Sequence, residues 1–164
     1  MSADWIKRPY DAAEDERALV YLWLKSYAHS SYGVARGAHV DASPEEVAYW
    51  REQAPVVEAL LRSADVEVIC DPDRAVPSEA GPAVIWGFAC TSGDVVHMVV
   101  VKRSVARAGL AQDIVRDLLG SRLERACGMT HELVELRKIL GVPRQWYVDS
   151  TWLGRALIGA RRAA

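Results

Sequence analysis

The side chains with most chemical reach stand near one run, Val95-Val96-His97-Met98-Val99-Val100-Val101-Lys102-Arg103-Ser104-Val105-Ala106-Arg107-Ala108-Gly109-Leu110-Ala111. Histidine titrates near pH 6.5, so His97 is suited to act as a base, and a core histidine bonded to a backbone group explains the same residue. Further on, Gly109 and Ala111 are small residues at the start of an apolar-periodic segment. A helix beginning there presents unpaired amides and a positive dipole end, and small side chains let a pyrophosphate come close. The run therefore reads as strand, turn and helix N-terminus, built to hold an anionic ligand.

The elements that must position this run are legible from spacing. Trp5 to Tyr10 opens as a strand stopped by Pro9, and Asp11 can cap a helix in which Leu19, Val20, Trp23, Leu24 and Tyr27 form one stripe. His29 to His39 is polar and contains Gly33 and Gly37, hence a loop. Ser43-Pro44-Glu45-Glu46 combines a capping serine, a first-position proline and a glutamate, so a second helix starts there, with Pro55 expected to kink or divide it. Val66 to Cys70 and Ala83 to Thr91 read as strands of a long hairpin, and Val95 to Val101 as a central strand. A helix is expected from about Gly109 to Ala126. Another follows over Glu132 to Leu140, ended by Gly141 and Pro143, with a last strand at Gln145 to Asp149. This order implies a single mixed α/β domain over residues 1–164, with a basic tail from about residue 155.

The strand–turn–helix run resembles the GNAT (Gcn5-related N-acetyltransferase) superfamily, whose acyl-coenzyme A signature is Arg/Gln-x-x-Gly-x-Gly/Ala after the fourth strand. Ala106-Arg107-Ala108-Gly109-Leu110-Ala111 supplies the glycine and the small last residue, and departs from the signature at Ala106. Trp23 to Ser31, Val96-His97-Met98 and Thr151 to Leu153 also look like small GNAT-like phage and prophage proteins. The resemblance implies a GNAT-like fold, a mixed central sheet flanked by helices, with acetyl-coenzyme A as cosubstrate and an amine on a small molecule or protein as acceptor. It implies that the backbones of Val99, Val100 and Val101 pair with the pantetheine arm. Arg107, Ala108, Gly109, Leu110 and Ala111 would cradle the pyrophosphate, and Tyr147 would protonate the departing thiolate. It also implies that His29, Ser30, Ser31 and Tyr32 lie where acceptor-closing residues sit, and that His131 could reach the cleft. Two rival readings follow from the same resemblance: a binding module that has lost catalysis, suggested by Ala106, and an enzyme that modifies a DNA nucleobase, as phage Mom-type proteins do.

Composition narrows the classes. With 51% hydrophobic residues, 26% charged and a formal net charge of -2, the chain is a globule rather than a disordered segment, and its near-neutral charge disfavours a large nucleic-acid footprint. No apolar run approaches the roughly 18 residues of a membrane span and the N-terminus lacks a signal pattern, so a cytoplasmic protein is expected. Three widely spaced cysteines, Cys70, Cys90 and Cys127, suggest reduced thiols rather than a disulfide framework or zinc site, and no metal-ligand spacing stands out. A Gly-x-Ser-x-Gly elbow is absent, which favours transfer over serine hydrolysis.

Overall fold

The first helix starts where the sequence supplies its caps. Asp11 Oδ1 accepts from the Ala13 amide at 2.9 Å, and Asp15 Oδ2 reaches back to the Asp11 amide at 2.9 Å, so two of the orphan donors of a helix start are satisfied. In this computed structural model, which describes residues 4–28, 44–78, 81–124, 128–129 and 147–148, that helix is α1, Ala12–Ala28. It is preceded by β1, Ile6–Pro9, and followed by α2, Pro44–Ser63, and β2, Asp65–Cys70. Next come β3, Ile85–Ser92, and β4, Val95–Val101, then a one-turn helix α3, Arg103–Arg107, and α4, Ala111–Leu119. Two short strands, β5 at Gly128–Met129 and β6 at Tyr147–Val148, complete the described strands.

The strands lie in one sheet in chain order, β1-β2-β3-β4-β5-β6. The first four pair antiparallel, with Val68↔Phe88 and Phe88↔Val100 at the centre, and β4-β5-β6 pair parallel. The protein is thus α/β, with a mixed sheet, antiparallel over its first four strands, flanked by helices. Alternation along β2 and β3 sends Val66, Val68, Cys70, Phe88 and Cys90 to one face, against Leu19, Trp23 and Leu24 of α1 and Val57, Leu60 and Leu61 of α2. Ile69 and Ala89 face the other way and meet Ile114, Val115, Leu118 and Leu119 of α4. Each core lies on its own side of the sheet, so the helix stripes and the strand alternation specify the layers together.

Two expectations about helices are corrected. Of the kink or division expected at Pro55, division does not occur: the second helix runs unbroken from Pro44 to Ser63. Its ring is on the exposed side. A mid-helix proline costs about 3 kcal/mol, and full burial of Val57, Leu60 and Leu61 at about 1.5–3 kcal/mol each outweighs that. The helix expected over Gly109 to Ala126 is shorter. It ends at Leu119, where Gly120 adopts φ +50° and a 3-10 turn, Gly120–Glu124, follows. The helix expected over Glu132 to Leu140 lies outside the described residues, and β6 falls within the expected last strand.

Gly87 allows β3 and β4 to approach. A Cβ there would stand 2.6 Å from the Val100 carbonyl oxygen, a backbone atom that cannot rotate away. Gly87→Ala is therefore expected to destabilise the fold by about 1–3 kcal/mol, the usual range for overpacking. Urea unfolding with an unchanged midpoint would contradict that assignment.

Candidate functional site

The centre of the candidate site is the exit of β4. Lys102 donates its amide to the Trp86 carbonyl at 2.7 Å, next to the Gly87↔Val101 pair. In an antiparallel ladder the hydrogen-bonding direction alternates by residue. Val100 therefore spends its main-chain groups on β3, and Val99 and Val101 turn theirs to the opposite edge. On that edge, among the described residues, β5 meets β4 only at Val95 and Val96. Of the three valines expected to line a pantetheine arm, Val99 and Val101 offer backbone groups, whereas Val100 offers none and buries its side chain beside Met98.

Past β4 the chain makes one turn of helix and then a glycine corner. The Ala106 amide bonds to the Lys102 carbonyl at 2.9 Å, and the amides of Ala108 and Gly109 bond to Val105 and Ala106 at 3.1 and 3.0 Å. Gly109 takes φ +82°, a conformation that costs an L-residue about 1–2 kcal/mol. A Cβ on it would meet nothing within 4 Å, so the glycine serves the backbone's turn and leaves open space above it. The first intrahelical bond of α4 runs from the Ile114 amide to the Leu110 carbonyl at 3.0 Å. The amides of Leu110, Ala111 and Asp113 thus precede the ladder, and no side chain caps the helix. Arg107, Ala108 and Gly109 are exposed, and Leu110 and Ala111 are half-buried.

Charge near this corner is mixed. Arg103 and Arg107 supply exposed positive groups. Asp113, in the first turn of α4, leans towards Arg116 at 3.8 Å, so a carboxylate shares the end of the helix dipole with any incoming anion. Lys102 is half-buried, and burial lowers its ammonium pKa below the usual lysine range.

The expected proton carriers are placed differently. His97 is fully buried, and its Nε2 lies 2.9 Å from Ser92 Oγ, the arrangement of a core histidine held by a neighbour. It is also the extra residue of an irregularity in β4, since Cys90 faces Met98 while Thr91 faces Val96. Ser92 was not singled out from the sequence. The signal available was its position, just before the tight Gly93-Asp94 turn that folds β4 back along β3. The backbone of Tyr147 pairs with Gly128, which pairs with Val95, so Tyr147 stands in register with the start of β4, about 10 Å across two strand spacings. His29, Ser30, Ser31, Tyr32 and His131 lie outside the described residues.

The two described cysteines are buried, which removes them as nucleophiles. Burial pushes the Cys90 thiol up to about 12 and raises that of Cys70 as well, so neither forms a thiolate near neutrality. Among the described residues no group of His, Cys, Asp and Glu is arranged to hold a metal ion. No helix among them is long and apolar enough to cross a membrane.

No family model matches the chain, and no curated protein matches it. Among solved structures it is similar to the solution structure of apo-form YjaB from Escherichia coli, at 19% identity and a TM-score of 0.43. The likeness covers 71% of this chain and 65% of that one, so the match spans less than two thirds of YjaB.

Proposed function

We infer that the chain is an acyl-coenzyme A-dependent acyltransferase with a GNAT-like fold, acting on an amine, with acetyl-coenzyme A as the donor tested first. One observation supports the reading above the others: the edge of β4 at Val99 and Val101, which no described strand covers, leads directly into the Gly109 corner and the uncapped start of α4. An extended pantetheine amide chain adds to an open strand edge as another strand would. The pyrophosphate then falls at a helix N-terminus beside a glycine with open space above it.

In this reading the chain contributes position more than acid–base chemistry. Strand-edge amides at Val99 and Val101 orient the thioester and polarise its carbonyl, the amine attacks that carbonyl carbon, and the coenzyme A thiolate leaves. The attacking nitrogen loses its proton, and the departing sulfur gains one, the role proposed for Tyr147. His97 takes the amine proton only if its cover opens, because its ring has no exposed surface in the present arrangement.

That burial supports a second reading, a module that binds acyl-coenzyme A and does not turn it over. The departure at Ala106 points the same way, since it leaves the exposed Arg107 as the nearest basic side chain.

Calorimetry and thermal unfolding test the shared claim. Acetyl-coenzyme A at a hundred times its dissociation constant should stabilise the protein by about 2.7 kcal/mol, raising the midpoint by about 5–10 °C. No heat and no shift at millimolar ligand would remove both readings. Gly109→Glu places a negative side chain against the phosphate position and strains the φ +82° corner, so binding should be lost. Because the position has open space around it, the variant should remain folded by circular dichroism. Undiminished affinity in a folded Gly109→Glu protein would move the phosphate site elsewhere. Release of free thiol from acetyl-coenzyme A in the presence of amines separates the enzyme from the binding module.

A further inference from the structure

The described lysines, Lys7, Lys25 and Lys102, are held differently. Lys7 donates to the Asp117 carbonyl at 3.1 Å, and its ammonium lies 3.2 Å from the Asp117 carboxylate and 3.6 Å from that of Glu67. Lys25 donates to the Tyr21 hydroxyl at 3.0 Å and stands 5.3 Å from the centre of that ring. Among the described residues no ion pair or hydrogen bond engages the Lys102 ammonium.

Its position explains why. The Lys102 amide is fixed to the Trp86 carbonyl at 2.7 Å and its carbonyl accepts from the Ala106 amide at 2.9 Å, so the residue is anchored on both sides. Alternation along β4 puts it on the face of Met98 and Val100, and its methylene stem continues their apolar row. Arg8, Asp15 and Lys102 all act on the buried Cys70 thiol, which puts the four in one neighbourhood. The carboxylate of that neighbourhood is already engaged, since Asp15 takes both ends of the Arg8 guanidinium, at 2.6 and 2.8 Å. A half-buried ammonium without a counter-ion is costly, and loss of its proton relieves the cost.

We propose that Lys102 is a covalent modification site for acyl thioesters, which form an amide on its side chain. The neutral nitrogen attacks the thioester carbonyl carbon, a C–N bond forms, the C–S bond breaks, and the thiol departs with the proton that the nitrogen gives up. The product suits the position, because a neutral amide costs less to bury than an unpaired ammonium. This inference stands apart from the acyltransferase reading, because the acyl donor can come from solution and needs neither the β4 edge nor the α4 N-terminus.

The test treats the intact chain at neutral pH with S-acetyl-N-acetylcysteamine, a thioester without the nucleotide of coenzyme A, and maps the modified peptides by mass spectrometry. Lys7 and Lys25 are exposed and Lys102 is half-buried, so access alone would make Lys102 the slowest of them. Lys102 should instead be acetylated about fivefold faster than either, because only a deprotonated amine reacts and the other two ammonium groups keep their partners. Its rate should also level off at a lower pH than that of free Nα-acetyllysine in the same tube, the sign that follows from burial lowering its pKa. Lys102→Arg should remove the fast site and leave the slow ones. Equal or faster modification of Lys7 or Lys25, a pH profile that coincides with free lysine, or a fast site that survives Lys102→Arg would each overturn the proposal. If that variant does not fold, the site-resolved rates on the unaltered chain decide the matter. Because the probe bypasses any coenzyme A site, failure here is distinct from failure of acetyl-coenzyme A to bind in calorimetry.

Discussion

Asp15→Ala is expected to destabilise the protein by about 3–5 kcal/mol, the range seen when one partner of a buried ion pair is removed. Asp15 is 1% exposed and accepts both ends of the Arg8 guanidinium, Nη1 to Oδ2 at 2.6 Å and Nη2 to Oδ1 at 2.8 Å. Arg8 also donates Nε to the Ala75 carbonyl at 2.9 Å, so this fork ties β1, the start of α1 and the turn after β2 together. The carboxylate beside it holds the Arg8 guanidinium well above the usual arginine range, chiefly through the hydrogen bond. Removing Asp15 strands that cation under α1 and deprives the Asp11 amide of its acceptor. Asp15→Asn keeps an acceptor for both and should cost less. Urea unfolding monitored at constant m-value checks this, and a loss below about 1 kcal/mol for Asp15→Ala would show that the pair is solvated and marginal.

Phe88→Ala should cost a similar amount, about 3–5 kcal/mol. Phe88 is fully buried on the middle strand, between Val68 of β2 and Val100 of β4, with its ring 6.1 Å from that of Trp23 on α1. Truncation leaves a void at the point where α1 meets the sheet, and close-packed surroundings fill such a void only in part. The same variant bears on the site, because β3 holds β4 in register through Phe88↔Val100. Thermal unfolding should show the loss directly. A drop of less than about 1 kcal/mol would mean that α1 collapses onto the sheet without the ring.

Much of this architecture is written in short-range patterns. Asp11 announces the start of α1 because a capping carboxylate acts within one turn, and the stripe of Leu19, Val20, Trp23 and Leu24 is a matter of 3.6-residue spacing. The strands β2, β3 and β4 likewise follow from short apolar runs between turn residues, and Gly109 supplies the positive φ of the corner before α4.

What tertiary structure decided depends on partners distant in the chain. Pro55 stays inside an unbroken helix because its ring faces solvent while the rest of α2 packs on α1 and the sheet, an energy balance that no local rule contains. From the sequence His97 reads as a base or as a core histidine, and the one-residue slip between β3 and β4 and its contact with Ser92 decide for the core. Which residues of β4 turn their main-chain groups away from β3, Val99 and Val101 rather than Val100, follows from which residues of β4 bond to β3. That is a matter of register, set by side chains and a Gly87 contact on another strand, and register is a long-range property of the pairing.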